Sequence, residues 1–405
     1  LSNGVSMTTH NLDIFSPTAE HAMLRQSVRK LAKTSLEPSA HERDVNEHFD
    51  MGLMKKLGEL GLLGITVPIE FGGSGMDASA AVLVHEELSF IDPGFCLAYL
   101  AHAMLCVNNI AQNGSDEQKQ KYLPKLCTGE WLGAMAMSEP EVGTDVLGMK
   151  CRAVKNADGY LLNGRKMWIT NGAKNQKNDP ADVLFLYAKT SEDKQAGISS
   201  FIVEGGQRGF YVGQSLKGKL GMRASNTAEL VLEDCQIKPG QLIGHEGESL
   251  RHMMRNLEIE RLTLAAMSLG ISLRALTIMN NYASERHAFG KPLVHFGQIQ
   301  KHIGESYAKY QACRSYVYNV AYRCQHIDGN NRMDSDGVKL IASTVAKEIA
   351  DSAIQVLGGY GYMADYVVER LWRDAKLLEI GGGTVEAHQK NIAYDLSKNK
   401  KALLS

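Results

Sequence analysis

Proline is scarce in this chain, nine in 405 residues, so long stretches are free of the commonest helix breaker. Charge imbalance is missing too: a net charge of −1 gives no global pull toward nucleic acid or anionic membranes. The seven cysteines (96, 106, 127, 151, 235, 313 and 324) are odd in number and never spaced CxxC. That argues against a disulfide or zinc framework and fits packing residues in a reducing compartment. No HExxH or other compact metal-ligand spacing occurs, so no metal is expected. No uninterrupted apolar run looks long enough to cross a bilayer. No basic amphipathic helix supports a peripheral membrane role. Internal repeats and low-complexity segments are also missing.

What is present is the composition of an ordinary globular enzyme, 44% hydrophobic and 22% charged, in a chain long enough for two or three domains. From about Ser16 to Gly129 the pattern is helical, with Ser16-Pro17 expected to open the first helix and Met23, Val28, Leu31 and Leu36 following at helical intervals. From about Glu130 to Ile243 the texture changes. Short β-prone runs (Tyr160–Leu162, Val183–Tyr187, Phe201–Val203, Glu229–Leu232) alternate with Gly, Asn and Asp turns, as in a compact, mostly antiparallel β-domain. Helical periodicity returns over 248–284, 293–326 and 335–357. The expected architecture is a multidomain α+β chain: a helical domain over 1–129, a β-domain over 130–245 and a helical domain over 246–405.

One residue stands out. Met253, Leu257, Glu260, Leu264, Met267 and Ile271 share one face of a helix, and Glu260 is the only charge among them. Loss of water disfavours the charged form and raises the pKa of such a carboxylate, which suits it to accept a proton from a weakly acidic carbon. A buried Glu neutralised by Arg261 or by a more distant base is the competing reading.

Two stretches fit GxGxxA, Gly73–Ala78 and Gly359–Ala364. Pro68 interrupts the run before the first and helical sequence precedes the second, so neither has the strand–turn–helix setting of a Rossmann fingerprint. The segment 135–145 (MAMSEPEVGTD) is a turn-rich loop, rich in hydroxyls and backbone donors, suited to a polar ring edge or a phosphate. In the following β-run 166–172 (KMWITNG), strand alternation places Trp168 and Thr170 on one side, where they could flank a flat heterocycle.

SEPxxGTD, KMWITNG, KLGMRASNT, SERHAFGK, IQVLGGYGY and RDAKLLEIGGGT occur in this order along nearly the whole chain. Together they resemble the FAD-dependent acyl-CoA dehydrogenases. The resemblance implies an N-terminal helical domain, a middle β-barrel-like domain, a C-terminal four-helix bundle and a homotetramer with FAD partly at a subunit interface. Met135, Met137, Ser138, Thr144, Trp168, Ile169 and Thr170 would hold the flavin. Arg286 and Phe289 would contact FAD bound mainly by a neighbouring subunit. Gln355, Gly358 and Gly359 would approach from that neighbour, and Thr384 with Glu386 would close over the cofactor. The acyl-CoA would meet Ser138, Thr144, Met254, Glu258, Arg261, Gly381 and Gly382.

Many members carry their catalytic glutamate in a Tyr-Glu-Gly-Thr loop after RDAK; here Gly381–Thr384 reads GGGT, with no side chain able to take a proton. Other members place the base on the preceding helix in a [D/E]-x-E-R context, which Glu258–Arg261 fits with Glu260 as base. Glu258 lies about 200° around the helix from Glu260 and is expected to face the acyl-CoA tail. By resemblance, the Gly382 N–H and a flavin ribityl hydroxyl would hold the thioester oxygen. Gly381 and Gly382 would leave room for a branched acyl chain, or would serve only the backbone.

The resemblance is greatest to the branch acting on isovaleryl-CoA in leucine breakdown; the alternatives are a long-chain substrate, because the base position is shared, or another short-chain acyl-CoA. Electron-transferring flavoprotein is the expected oxidant. An oxidase using oxygen and a flavoprotein without activity are the other readings; intact Glu260 speaks against the latter. A glutamine that commonly contacts FAD falls on Gly297, leaving Gln298 turned elsewhere, Thr144 replaces a common serine, and His388 and Gln389 stand where the isovaleryl branch tends to be basic. Residues 1–12 carry no Arg or Lys and are not themselves a transit peptide, but Leu1 hints at a processed start. The mitochondrial matrix is expected, with the bacterial cytoplasm as the alternative.

Overall fold

The computed structural model describes residues 13–193, 197–324 and 331–398. Its first part is helical: α1 (Ala19–Leu31), α2 (Ala40–Val45), α3 (Met51–Glu59), α4 (Ala78–Ile91), α5 (Pro93–Leu100), α6 (Asn108–Asn113) and α7 (Asp116–Cys127). Thr18, Asp50, Asp77, Asp92 and Ser115 accept backbone N–H groups at five of the helix starts, donors that otherwise lack partners. The first helix therefore opens at Thr18, two residues beyond the expected Ser16. A π-helical stretch, Ala101–Val107, joins α5 to α6.

The middle part carries β1 (Gly133–Ala136), β2 (Arg152–Asn156), β3 (Gly159–Thr170), β4 (Val183–Lys189), β5 (Ile198–Glu204), β6 (Phe210–Ser215), β7 (Thr227–Ile237) and β8 (Leu242–Ile243). They form one sheet in the order β6-β7-β3-β2-β4-β5-β8, with β1 added in parallel to β4. The expected barrel-like closure is corrected here: the sheet is open, and its edge strands β6 and β8 do not pair. Strand β1 takes Val183–Leu186, so β2 reaches β4 only at the pair Arg152↔Lys189.

Strand β4 is buried on both faces. Leu184, Leu186 and Ala188 face the core of the sheet, while Val183, Phe185 and Tyr187 pack with Val107, Ile110, Tyr122 and Met253. This double burial explains its unbroken apolar run.

The last part holds α8 (Ser249–Glu285), a small hairpin of β9 (His287–Ala288) and β10 (Lys291–Pro292), α9 (Gly297–Arg323), α10 (Arg332–Leu357), α11 (Val368–Leu378) and α12 (Val385–Lys398). The first three of these helices follow the three expected stretches to within a few residues, although 325–326 lie outside the described residues. Helices α8, α9, α10 and α11 pack together and α12 lies on α10. Helix α8 also packs on α4, and their backbones nearly touch at Gly270, where a Cβ would lie 2.4 Å from the Glu86 carbonyl oxygen. Ser89 Oγ donates to the Met267 carbonyl there at 2.8 Å. Farther out, Arg25 reaches Glu86 at 3.0 Å and Glu87 at 2.6 Å, and Arg314 reaches Glu86 at 3.0 Å. These ion pairs tie α1, α4 and α9 into one helical core.

A second correction concerns apolar length. Pro93–Asn113 and Ser249–Glu285 are long and apolar enough to cross a bilayer, but 89% and 78% of their apolar windows are buried inside the protein. The interior of this fold accounts for them. All seven cysteines are buried, and no disulfide joins any of them.

Candidate active site

Glu260 sits mid-way along α8, and its stripe neighbours Met253, Leu264, Met267 and Ile271 are buried. Burial pushes its carboxyl up to about 7, against the opposing pull of Arg261 and Lys339. Its Oε2 has no hydrogen-bond partner among the described residues. Arg261 does not neutralise it by direct contact; the guanidinium turns instead to Asp336 on α10, 3.2 Å away. A buried carboxyl with an open oxygen and a pKa near neutrality is chemically poised rather than structurally satisfied.

The glycine loop lies directly against this carboxyl. After α11, the Ile380 and Gly381 amides donate to the Leu377 carbonyl at 2.9 and 2.8 Å, and the chain then turns through Gly382 (φ 69°) and Gly383 (φ 103°). A Cβ on Gly382 would fall 2.3 Å from Leu264 Cδ1 and 3.4 Å from Glu260 Oε1. Glycine at 382 therefore serves the backbone and the close approach, and opens no space for an acyl branch. A Cβ at Gly381 would meet Leu377 no closer than 3.6 Å, an ordinary contact, so only that position of the pair leaves usable room. The Gly382 N–H donates to nothing among the described residues. Thr384 Oγ1 accepts from Ala387 N at 3.2 Å, capping α12, and Glu386 is exposed in its first turn.

On the sheet side, β1 delivers Met135, Met137 and Ser138. Met135 and Met137 pack in the same core as Met253 and Leu257 of α8, which brings this loop beside the face bearing Glu260. Ser138, half-buried, accepts from Met167 N through its carbonyl at 2.9 Å. The loop is braced from behind by a buried ion pair that the sequence reading passed over. Lys166 Nζ donates to Glu139 Oε1 and to the Met137 carbonyl, both at 2.9 Å, while Glu139 accepts from the amides of Lys150 and Cys151 at 2.6 and 3.0 Å. Lys166 and Glu139 both lie inside quoted motifs, so the signal was available.

Trp168 is 56% exposed and has φ 60°. Regular alternation does not set the sides of Trp168 and Thr170, because a register shift between Lys166 and Ile169 interrupts it. Ile169 is buried in the sheet core, Thr170 is half-buried and Thr144 is exposed. A bulky side chain at positive φ is strained, and such strain concentrates at ligand sites. An exposed indole on a bulge, the half-buried Ser138 and open space around Gly143 fit a flat heterocycle with a polar edge.

The remaining expected cofactor residues form a separate exposed group. Arg286, Phe289, Gln355, Gly358 and Gly359 are all exposed; Phe289 is 95% exposed, and the Arg286 guanidinium lies 6.0 Å from the Tyr360 ring centre. None contacts Glu260 or the glycine loop among the described residues. Met254 is partly exposed on α8. Glu258 departs from its expected tail-facing role: it is buried, and its Oε2 accepts from the Asn331 amide at the start of α10, at 2.9 Å.

A buried carboxyl on a helix, facing a bare glycine loop within a helix–sheet–helix frame, fits an acyl-CoA dehydrogenase, and the chain belongs to that family. Its N-terminal, middle and C-terminal acyl-CoA dehydrogenase domains match at residues 18–130, 134–235 and 247–396. The chain is 44% identical over 376 residues to mitochondrial isovaleryl-CoA dehydrogenase of Pongo abelii, covering 91% of this chain and 87% of the relative. To the enzyme of the same name from Oryza sativa subsp. japonica it is 42% identical over 390 residues, covering 96% and 93%. Butyryl-CoA dehydrogenase from Megasphaera elsdenii superposes with a TM-score of 0.88 at 33% identity, covering 98% of this chain and all of that one.

Proposed function

We propose that this acyl-CoA dehydrogenase acts on a short branched acyl-CoA, converting isovaleryl-CoA to 3-methylcrotonyl-CoA in leucine catabolism. The observation carrying the mechanism is the placement of Glu260: an open, buried carboxyl near pKa 7 beside a loop that has no acid of its own. Ionised Glu260 removes the α-proton of the thioester. The Gly382 N–H donates to the thioester oxygen as enolate character develops on the substrate. FAD, when bound, would supply the two-electron oxidant for the hydride lost from the β-carbon, and Met135, Ser138, Trp168 and Thr170 would hold it. The buried stripe around Glu260 keeps water from the reacting carbons.

The branched substrate is supported by the identity to enzymes named for isovaleryl-CoA and by the room beside Gly381. The exposed group around Phe289 fits the expectation of a homotetramer in which one subunit completes the cofactor site of another. Electron-transferring flavoprotein as oxidant and the mitochondrial matrix as location belong to the same reading.

The test is anaerobic mixing of the yellow holoenzyme with isovaleryl-CoA and, separately, palmitoyl-CoA, following flavin bleaching. Bleaching by isovaleryl-CoA alone supports the assignment, and preference for palmitoyl-CoA moves the substrate to the long-chain class. An E260Q variant that still bleaches at the wild-type rate removes Glu260 from the mechanism; the expected loss is at least ~100-fold.

A further inference from the structure

Three consecutive glycines cannot hold one conformation unaided, since each samples both signs of φ freely. Yet the proposed chemistry needs the Gly382 N–H aimed at one point. The clamp comes from α12 and α10. His388, fully buried, places Nε2 3.0 Å from the Gly383 carbonyl oxygen and Nδ1 2.5 Å from Asp336 Oδ1. Lys339 Nζ reaches the Gly383 carbonyl from α10 at 3.4 Å and also donates to the Leu378 carbonyl at the end of α11. The loop is shaped to receive the ring: a Cβ on Gly383 would lie 2.9 Å from His388 Cε1.

We propose that His388 is a positioning residue for the thioester oxygen, gripping the Gly383 carbonyl and so fixing the direction of the neighbouring Gly382 N–H. This rests on the reading of Glu260 and Gly382 given above. Both groups facing the imidazole accept hydrogen bonds, and Asp336 also pairs with Arg261. The ring grips the Gly383 carbonyl when Nε2 carries a proton. The charged groups around the ring are Asp336 and Lys339 from α10 and Arg261 from α8, with Asn391 of α12 touching Asp336. Burial lowers the proton affinity of the ring, Asp336 opposes this, and Lys339 and Arg261 add to the lowering.

The test separates the carbonyl from the rest of the ligand. In FAD-loaded E260Q, calorimetry compares two ligands: the acyl-CoA that bleaches the wild type, and the S-alkyl CoA thioether of the same chain, which lacks the carbonyl. Adding H388F is expected to weaken the thioester about tenfold, the size of one hydrogen bond, and the thioether less than about twofold. H388Q, which keeps one donor, restores most of the loss. Equal weakening of both ligands, or of neither, overturns the proposal, and retained thioether affinity shows that the variant is folded. Turnover by E260Q itself would instead overturn the assignment of the base.

Discussion

Replacing Glu260 with glutamine is expected to stabilise the protein, and increasingly so as the pH rises. Folding moves this carboxyl from an ordinary value of 4.5 to about 7. Between those values the folded chain binds more protons than the unfolded one, so the wild type loses stability as the pH rises through the window. Above pH 7 the loss is complete and amounts to about 3 kcal/mol as an upper bound, at about 1.4 kcal/mol per pH unit. Glutamine keeps the shape and cannot ionise. With an unfolding entropy of roughly 2 cal/mol/K per residue, a chain of this length converts about 3 kcal/mol into a Tm difference of roughly 4 °C. The assay is scanning calorimetry of wild type and E260Q at saturating FAD, so that cofactor linkage is equal, from pH 5 to 8.5. The gap should be small at pH 5, widen up to pH 7 and then stay flat. A gap that is constant across this range would refute the claim that desolvation holds the proton on Glu260.

The same ionisation predicts that kcat/KM falls about tenfold per unit below pH 7, because the base must be unprotonated; a rate flat from pH 5 to 7 would contradict it. K166M leaves Glu139 buried without its cation and is expected to cost roughly 3–5 kcal/mol in denaturant unfolding, with weakened FAD retention because the 135–145 loop loses its brace. G382A meets both a left-handed backbone and Leu264, so it should lose at least ~1 kcal/mol of stability and most activity. In G382A/L264A the steric part is relieved, and activity should partly return if the collision is the cause. W168G relaxes the positive φ and should raise the Tm of the apoprotein slightly while weakening FAD binding; a lower Tm would show that the indole packs against the protein.

The sequence carried the helices of the last part well, because α8 to α10 have long apolar periodicity with few breakers. It carried the burial of Glu260 as well, because a single charge on an apolar stripe is visible without coordinates. The openness of the sheet was not legible, since which strands are left as unpaired edges is a non-local outcome without a local pattern. The bulge at Trp168 was hidden for the same reason. Glu258 looked free by angle alone, because its partner amide at Asn331 lies far along the chain. His388 registered only as a departure from the family, and its role depends on α12 returning over the glycine loop. Some motifs meet only in three dimensions: the Met222 amide donates to Asp374 at 2.5 Å, joining KLGM to RDAK.

The contact of α8 with α4 at Gly270 limits how this enzyme can change. With backbones nearly touching about three turns from Glu260, the helix bearing that carboxyl can neither rotate nor slide without breaking that seam. The site cannot admit a bulkier acyl group by letting these helices part. Selectivity must therefore be altered by exchanging side chains on a fixed frame, and engineering efforts belong at positions such as Gly381 and Leu257. Any bulkier residue at Gly270 would push α8, and Glu260 with it, away from α4.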